Sequence, residues 1–183
     1  MTGRPCSVEN RGRTPPDRGD VADEYARIMS ENERYTEVFN RAALGPAPMS
    51  GIAIVACMDA RLDVEEALGL RTGDAHIIRN AGGLATDDAI RSLIVSQRLL
   101  GTDEILVIEH TGCGLLDADG AALTRRLVAE SGVMLDLELG AFTDLEANLR
   151  AQVERIRSHP WLRHVPVHGL VFEVETGRLR EVA

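Results

Sequence analysis

Five residues concentrate reactive side chains at two places in this 183-residue sequence. The stretch IAIVACMDARLDV (52–64) ends an apolar run in Cys57, Asp59 and Arg61, and a second apolar run ends in His110-Thr-Gly-Cys113. Two thiols, an imidazole and a carboxylate gathered around one point suit Zn²⁺, which takes Cys sulfur at about 2.3 Å and His nitrogen at about 2.0–2.1 Å in a tetrahedron. Three protein ligands leave a fourth position for water or for Asp59, and an open position marks a catalytic site rather than a structural one. Neither Cys-x-Asp-x-Arg nor His-x-x-Cys is specific alone; the pair, each at the end of a strand, is far more so.

Plainer readings exist for each residue. Cys57 at a strand end can be a small buried hydrophobe, and Asp59–Arg61 a surface ion pair. A phosphate-wrapping cysteine loop needs more residues before its arginine than the three here, and glycines to expose its amides. A Cys57 nucleophile with His110 as base leaves Cys113 without a role. Arg79-Asn80-Ala81-Gly82-Gly83 is on its plainest reading a tight strand-to-helix turn. His76, His159, His164 and His168 stand singly and take structural or surface roles. Cys6 lies in a polar tail and is not a ligand.

The elements that must position these residues alternate. Strands are expected at IAIVAC, AHIIR, EILVIEH (104–110) and VHGLVFEV, and a short antiparallel strand at RLREV after the turn at Glu175–Gly177. Between them, VEEALGL reads as a short helix. Thr86 caps a helix with Asp87 and Asp88 in its first turn and Ile90, Leu93, Ile94 and Leu100 on its apolar face. Residues 115–131 are weakly helical. Thr143–Arg157 forms a helix with a Thr143/Glu146 capping box and the face Leu145, Leu149, Val153 and Ile156, and Pro160 lies beyond its end. The pattern predicts an α/β domain: a mostly parallel β-sheet flanked by helices, with a short antiparallel C-terminal edge strand. If the strands ending in Cys57 and His110 are neighbours, the five residues meet at the carboxyl ends of a parallel sheet, where such sheets bind ligands.

Residues 1–20 lack apolar periodicity and read as a disordered tail, 21–46 as a helical arm, and 47–183 as the zinc-binding catalytic domain. The chain is 44% hydrophobic, enough for a core. A net charge of −9 and six aromatics disfavour nucleic acid. No window approaches a membrane span and no signal peptide is read. Three cysteines without scaffold spacing fit a reducing, cytoplasmic setting.

CMDAR (57–61), RNAGG (79–83) and HTGC (110–113), in this order and at these separations, resemble the motifs of the β-class carbonic anhydrases over roughly residues 50–183. The resemblance implies Cys57, His110 and Cys113 as zinc ligands. It implies Asp59 and Arg61 as a dyad beside the metal, with Asp59 a fourth ligand in a closed state. It also implies carbon dioxide and bicarbonate as the small-molecule pair, and a homo-oligomer, dimer or tetramer, whose N-terminal helix packs across the partner subunit. Ala60 stands where the common motif has serine, Ile54 where some members have a tryptophan that helps bind inhibitory bicarbonate, and Gly83 where asparagine or a small residue is usual.

The implied reaction is reversible hydration of carbon dioxide by a metal-activated hydroxide. Two thiolates and an imidazole leave the zinc site formally neutral, where three imidazoles would leave it at +2. Its water should therefore be less acidic than the value near ~7 of a three-imidazole site, and activity should rise into mildly alkaline pH. Hydrolysis of carbonyl sulfide or carbon disulfide on the same scaffold is the main alternative. A non-catalytic zinc sensor is a further one, and needs a fourth protein ligand.

Overall fold

The computed structural model describes residues 21–134 and 137–183. The tail expected at 1–20, with Cys6, lies outside the described residues. Two units are distinguished, one ending at Leu44 and the other Gly45–Ala183. In the first, helix α1 spans Val21–Val38, so it ends before the 21–46 arm expected from the sequence does. Tyr25, Ile28, Met29, Tyr35 and Val38 on α1 are exposed, as is Phe39 just after it.

The second unit is built on a five-stranded sheet. Its strands are β1 (Ile52–Cys57), β2 (Ala75–Asn80), β3 (Glu104–His110), β4 (Val167–Glu173) and β5 (Arg178–Glu181), in the order β2-β1-β3-β4-β5. β1 pairs in parallel with β2 on one side and β3 on the other, β3 pairs in parallel with β4, and β5 closes the edge antiparallel to β4. The α/β architecture expected from the alternating pattern is therefore present. The chain leaves β1 toward β2 and then crosses to the other flank to form β3. This reversal opens a crevice at the carboxyl ends of β1 and β3, where Cys57 and His110 stand.

The helices are α2 (Val64–Leu68), α3 (Asp87–Leu100), α4 (Gly120–Ser131) and α5 (Leu145–Arg157). Thr86 caps α3 by accepting from the Ala89 amide, and Gly101, with φ +80°, ends it in the left-handed conformation. The cap of α5 is Asp144, accepting from the Ala147 amide, and not the expected Thr143. With the start one residue later, Glu146 pairs with Arg150 and Arg180 rather than closing a capping box. The weak helical signal at 115–131 resolves into α4 alone. Residues before it are held in turns by Asp117 N–H to Phe142 O and Phe142 N–H to Leu115 O.

Side chains alternate across the sheet. Ala53, Val55, Ile105 and Val107 face one layer with Ile90 and Leu93 of α3 and Leu149, Val153 and Ile156 of α5. Ile54, Ala56 and Ile108 face the other with Leu62, Val64 and Phe172, in the cluster that also holds Cys57 and Cys113. The pleat thereby sends Glu109 to the α5 side and His110 to the side of the two cysteines.

Candidate metal centre

Cys57 ends β1, His110 ends β3, and Cys113 follows in a turn that Gly112 makes with φ +63°. All three are buried, and their donor atoms lie within 4.8 Å of one another. A tetrahedral zinc site separates such donors by about 3.4–3.8 Å, so the group closes on an ion with small movements. Among the described residues no other cluster of this kind is found.

The hydrogen bonds of His110 provide a test of fit. Its Nδ1 lies 3.0 Å from the Thr111 carbonyl oxygen, which only accepts, so Nδ1 carries the proton. Nε2 then presents a lone pair toward the cysteines, yet it is buried without a hydrogen-bond partner. A backbone carbonyl that fixes the tautomer, behind a nitrogen with nothing to bond, is how metal-binding imidazoles are held. The thiols are prepared too. Backbone N–H groups of Asp59 and Gly82 bear on the Cys57 sulfur and favour its thiolate, and those of Leu115 and Leu116 do the same at Cys113. Burial pushes the Cys57 thiol up, but His110 and these amides outweigh it and bring it to about 7. Burial dominates at Cys113 and holds its thiol above the ordinary value. Burial lowers the His110 imidazole most, but the adjacent Cys57 sulfur, the Thr111 carbonyl and Asp59 together outweigh it and leave it raised.

Asp59 stands beside this triangle but outside it. Its Oδ1 accepts from Arg61 Nε at 2.9 Å and from the Arg61 amide at 3.0 Å, and its Oδ2 from Arg61 Nη2 at 2.8 Å. The Arg61 hydrogen bonds, outweighing burial, hold the Asp59 carboxyl at about 2. Oδ2 remains 3.7 Å from His110 Nε2. Arg61 Nη2 also donates to Gly112 O at 2.9 Å, tying the dyad to the turn that carries Cys113. The five residues singled out in the sequence are thus brought together.

The RNAGG segment does more than turn the chain. Arg79 Nε donates to Cys57 O at 3.0 Å and Nη2 to Asp59 O at 2.8 Å, clamping the backbone between ligand and dyad. Asn80 holds Leu84 by both its N–H and its C=O. Gly83 has φ +69°, and a Cβ there would meet Ile108 O at 2.8 Å and Cys57 N at 2.9 Å, so only glycine lets this turn sit between β1 and β3.

Sequence reading missed Arg79 as a clamp, and missed Glu109, whose carboxylate in the apolar run EILVIEH was the available signal. His76 bonds Ser96 Oγ and Pro46 O, and His168 lies between Glu104 and Glu181.

Comparison with known proteins agrees with the geometry. The carbonic anhydrase family model matches residues 52–134. β-Carbonic anhydrase 1 of Mycobacterium tuberculosis is 43% identical over 166 residues, covering 88% of this chain and 98% of that protein. A carbon disulfide hydrolase of Acidithiobacillus thiooxidans is 42% identical, over 84% of this chain and 88% of that protein. The crystal structure of carbonic anhydrase from Streptococcus mutans superposes with a TM-score of 0.81 at 40% identity, over 87% of this chain and 97% of that one. With its parallel sheet, its buried two-cysteine, one-histidine group and relatives of this identity along most of its length, the chain belongs to the β-carbonic anhydrase family.

Proposed function

We propose that this protein catalyses the reversible hydration of carbon dioxide to bicarbonate and a proton, with Cys57, His110 and Cys113 holding zinc and the Asp59–Arg61 dyad beside it. The observation that carries this reading is the division of labour among buried groups. Three donors converge with a fixed, unpartnered imidazole nitrogen, while the carboxylate beside them, Asp59, is engaged at both oxygens by Arg61. Zinc, when bound, supplies the Lewis acidity that makes water a nucleophile near neutral pH.

The chain's own residues do the rest. Arg61 grips Asp59 bidentately and keeps a hard carboxylate from competing for the open position. Ionised down to about pH 2, Asp59 stays an acceptor that orients a hydrogen-bond donor over the site. Arg79 and Gly83 keep the ends of β1 and β3 in register beneath it. Leu115 and Leu116 pack in the cluster that holds Cys57 and Cys113 and supply apolar surface suited to a small uncharged substrate.

The test is stopped-flow carbon dioxide hydration at pH 7 and pH 9, with zinc quantified per chain and Cys57→Ser alongside. Activity that needs Cys57 and is higher at pH 9 is expected. No hydration at either pH with one zinc per chain rejects this reading.

The carbon disulfide hydrolase relative motivates a second reading, hydrolysis of carbon disulfide or carbonyl sulfide by the same group. Sulfide release from either compound, without carbon dioxide hydration, would select it.

We further propose a tail (1–20), a helical arm (21–46) and a catalytic domain (47–183), with the arm's exposed apolar residues covered by a second copy of the chain. Light scattering that returns a monomer would remove the dimer or tetramer. Thiols serving as ligands favour a reducing cytoplasm. Among the described residues no helix is long and apolar enough to cross a membrane.

A further inference from the structure

On the α5 side of the sheet, away from the donors, a chain of polar side chains joins both halves of the metal centre. Ala85 N–H donates to Gln152 Oε1 at 2.9 Å, Gln152 Nε2 to Asn148 Oδ1 at 3.1 Å, and Asn148 Nδ2 to Glu109 Oε1 at 2.7 Å. The direction of every bond follows from the first. A backbone N–H can only donate, so Gln152 must present its oxygen to Ala85 and its nitrogen to Asn148, which in turn must present nitrogen to Glu109. Gln152 and Asn148 are four residues apart on α5 and share one face of it.

Both ends of this chain abut ligand-bearing backbone. Glu109 immediately precedes His110. At the other end, Ala85 follows the turn Ala81–Gly83, which sits close against the Cys57 backbone. Gly83 is pressed against the backbone of Ile108 and Cys57, so the turn cannot move further toward the strands. Outward movement is resisted by Asn80 at Leu84 and by Gln152 at Ala85.

We propose that Gln152, supported by Asn148, is a positioning residue for the metal centre, holding the glycine turn against the ends of β1 and β3 that carry Cys57 and His110. The inference rests on the reading of Cys57, His110 and Cys113 as metal ligands. An acceptor at residue 152 is what the turn requires. Losing it frees the Ala85 amide, lets the turn relax away from β1, and loosens the backbone that presents Cys57 to the metal.

The experiment compares full-length wild type, Gln152→Leu and Gln152→Glu, each stripped of metal and titrated with Co²⁺ and then Zn²⁺. It reads the thiolate-to-cobalt charge-transfer band and metal affinity by chelator competition. Gln152→Leu is expected to shift the band and weaken both metals by about tenfold, at the lower end of what loss of supporting hydrogen bonds costs a metal site. Gln152→Glu keeps an oxygen for Ala85 and is expected to return the band and most of the affinity.

A Gln152→Leu protein with wild-type band and affinity, whatever its melting temperature, overturns the inference. So do equal losses in both variants. Gln152→Ala replaces the leucine variant if that does not fold. Absence of a thiolate band in wild type is distinguishable from these results, because it rejects the metal reading itself and the inference with it.

Discussion

Replacing Glu109 by glutamine is expected to stabilise the folded chain at alkaline pH and to flatten the dependence of its stability on pH. The Glu109 side chain is fully buried; Oε1 accepts from Asn148, and Oε2 has no partner. Burial pushes its carboxyl up to about 8 from the ordinary 4.5, with the Asn148 hydrogen bond opposing and the nearby Cys57 charge adding to the rise. In the unfolded chain this group releases its proton near 4.5, whereas the folded chain keeps it until about 8. Between those values the native state binds the extra proton, so stability falls as pH rises. The contribution is fully present below the unfolded value and lost once pH passes the folded one.

Roughly three and a half pH units at about 1.36 kcal/mol each set a ceiling of about 4–5 kcal/mol. Relaxation around a buried charge reduces this, and about 2–4 kcal/mol is the expected difference. Glutamine cannot ionise, and its carbonyl can still accept from Asn148. Urea unfolding of metal-loaded wild type and Glu109→Gln from pH 5 to 9 reads the effect. The two curves should lie within about 1 kcal/mol at pH 5 and diverge by about 2–4 kcal/mol at pH 9, the variant being the more stable. Curves that stay parallel across the range would refute the claim that Glu109 enters the core protonated.

Arg61→Ala removes two charge-assisted hydrogen bonds from the Asp59 carboxylate and one from Gly112 O. Charge-assisted bonds are worth about 1.5–3 kcal/mol, so carbon dioxide hydration should drop about 10–100-fold while zinc content stays at one per chain. Undiminished turnover at full zinc occupancy would sink the role given to the dyad. Gly83→Ala places a methyl group against two backbone atoms at a left-handed φ, with no flexible side chain to yield. A loss of about 2–4 kcal/mol, several degrees in thermal midpoint, is expected; an unchanged midpoint would show that the turn has slack.

What the sequence determined by itself is local chemistry and element type. The strand-length stretches IAIVAC and EILVIEH name both the buried strands and the points, Cys57 and His110, where they surface. Thr86 with Asp87 and Asp88, and Gly101, bound α3 because capping is settled within one turn of chain. At α5, Thr143 and Asp144 both qualify as caps, and the choice of Asp144 is not evident from neighbouring residues. Tertiary structure alone decided the pairings across distance. Arg79 can reach the backbone of Cys57 and Asp59 only because β2 lies beside β1. Gly83 is required because the turn passes between β1 and β3. Glu109, one residue from a metal-binding candidate, faces away from it because successive strand residues point to opposite sides of the sheet. Its partner Asn148 lies thirty-nine positions on, and only the packing of α5 on that face brings the two together. Residue type and spacing reveal which groups are able to react; the fold decides which of them are held, and by what.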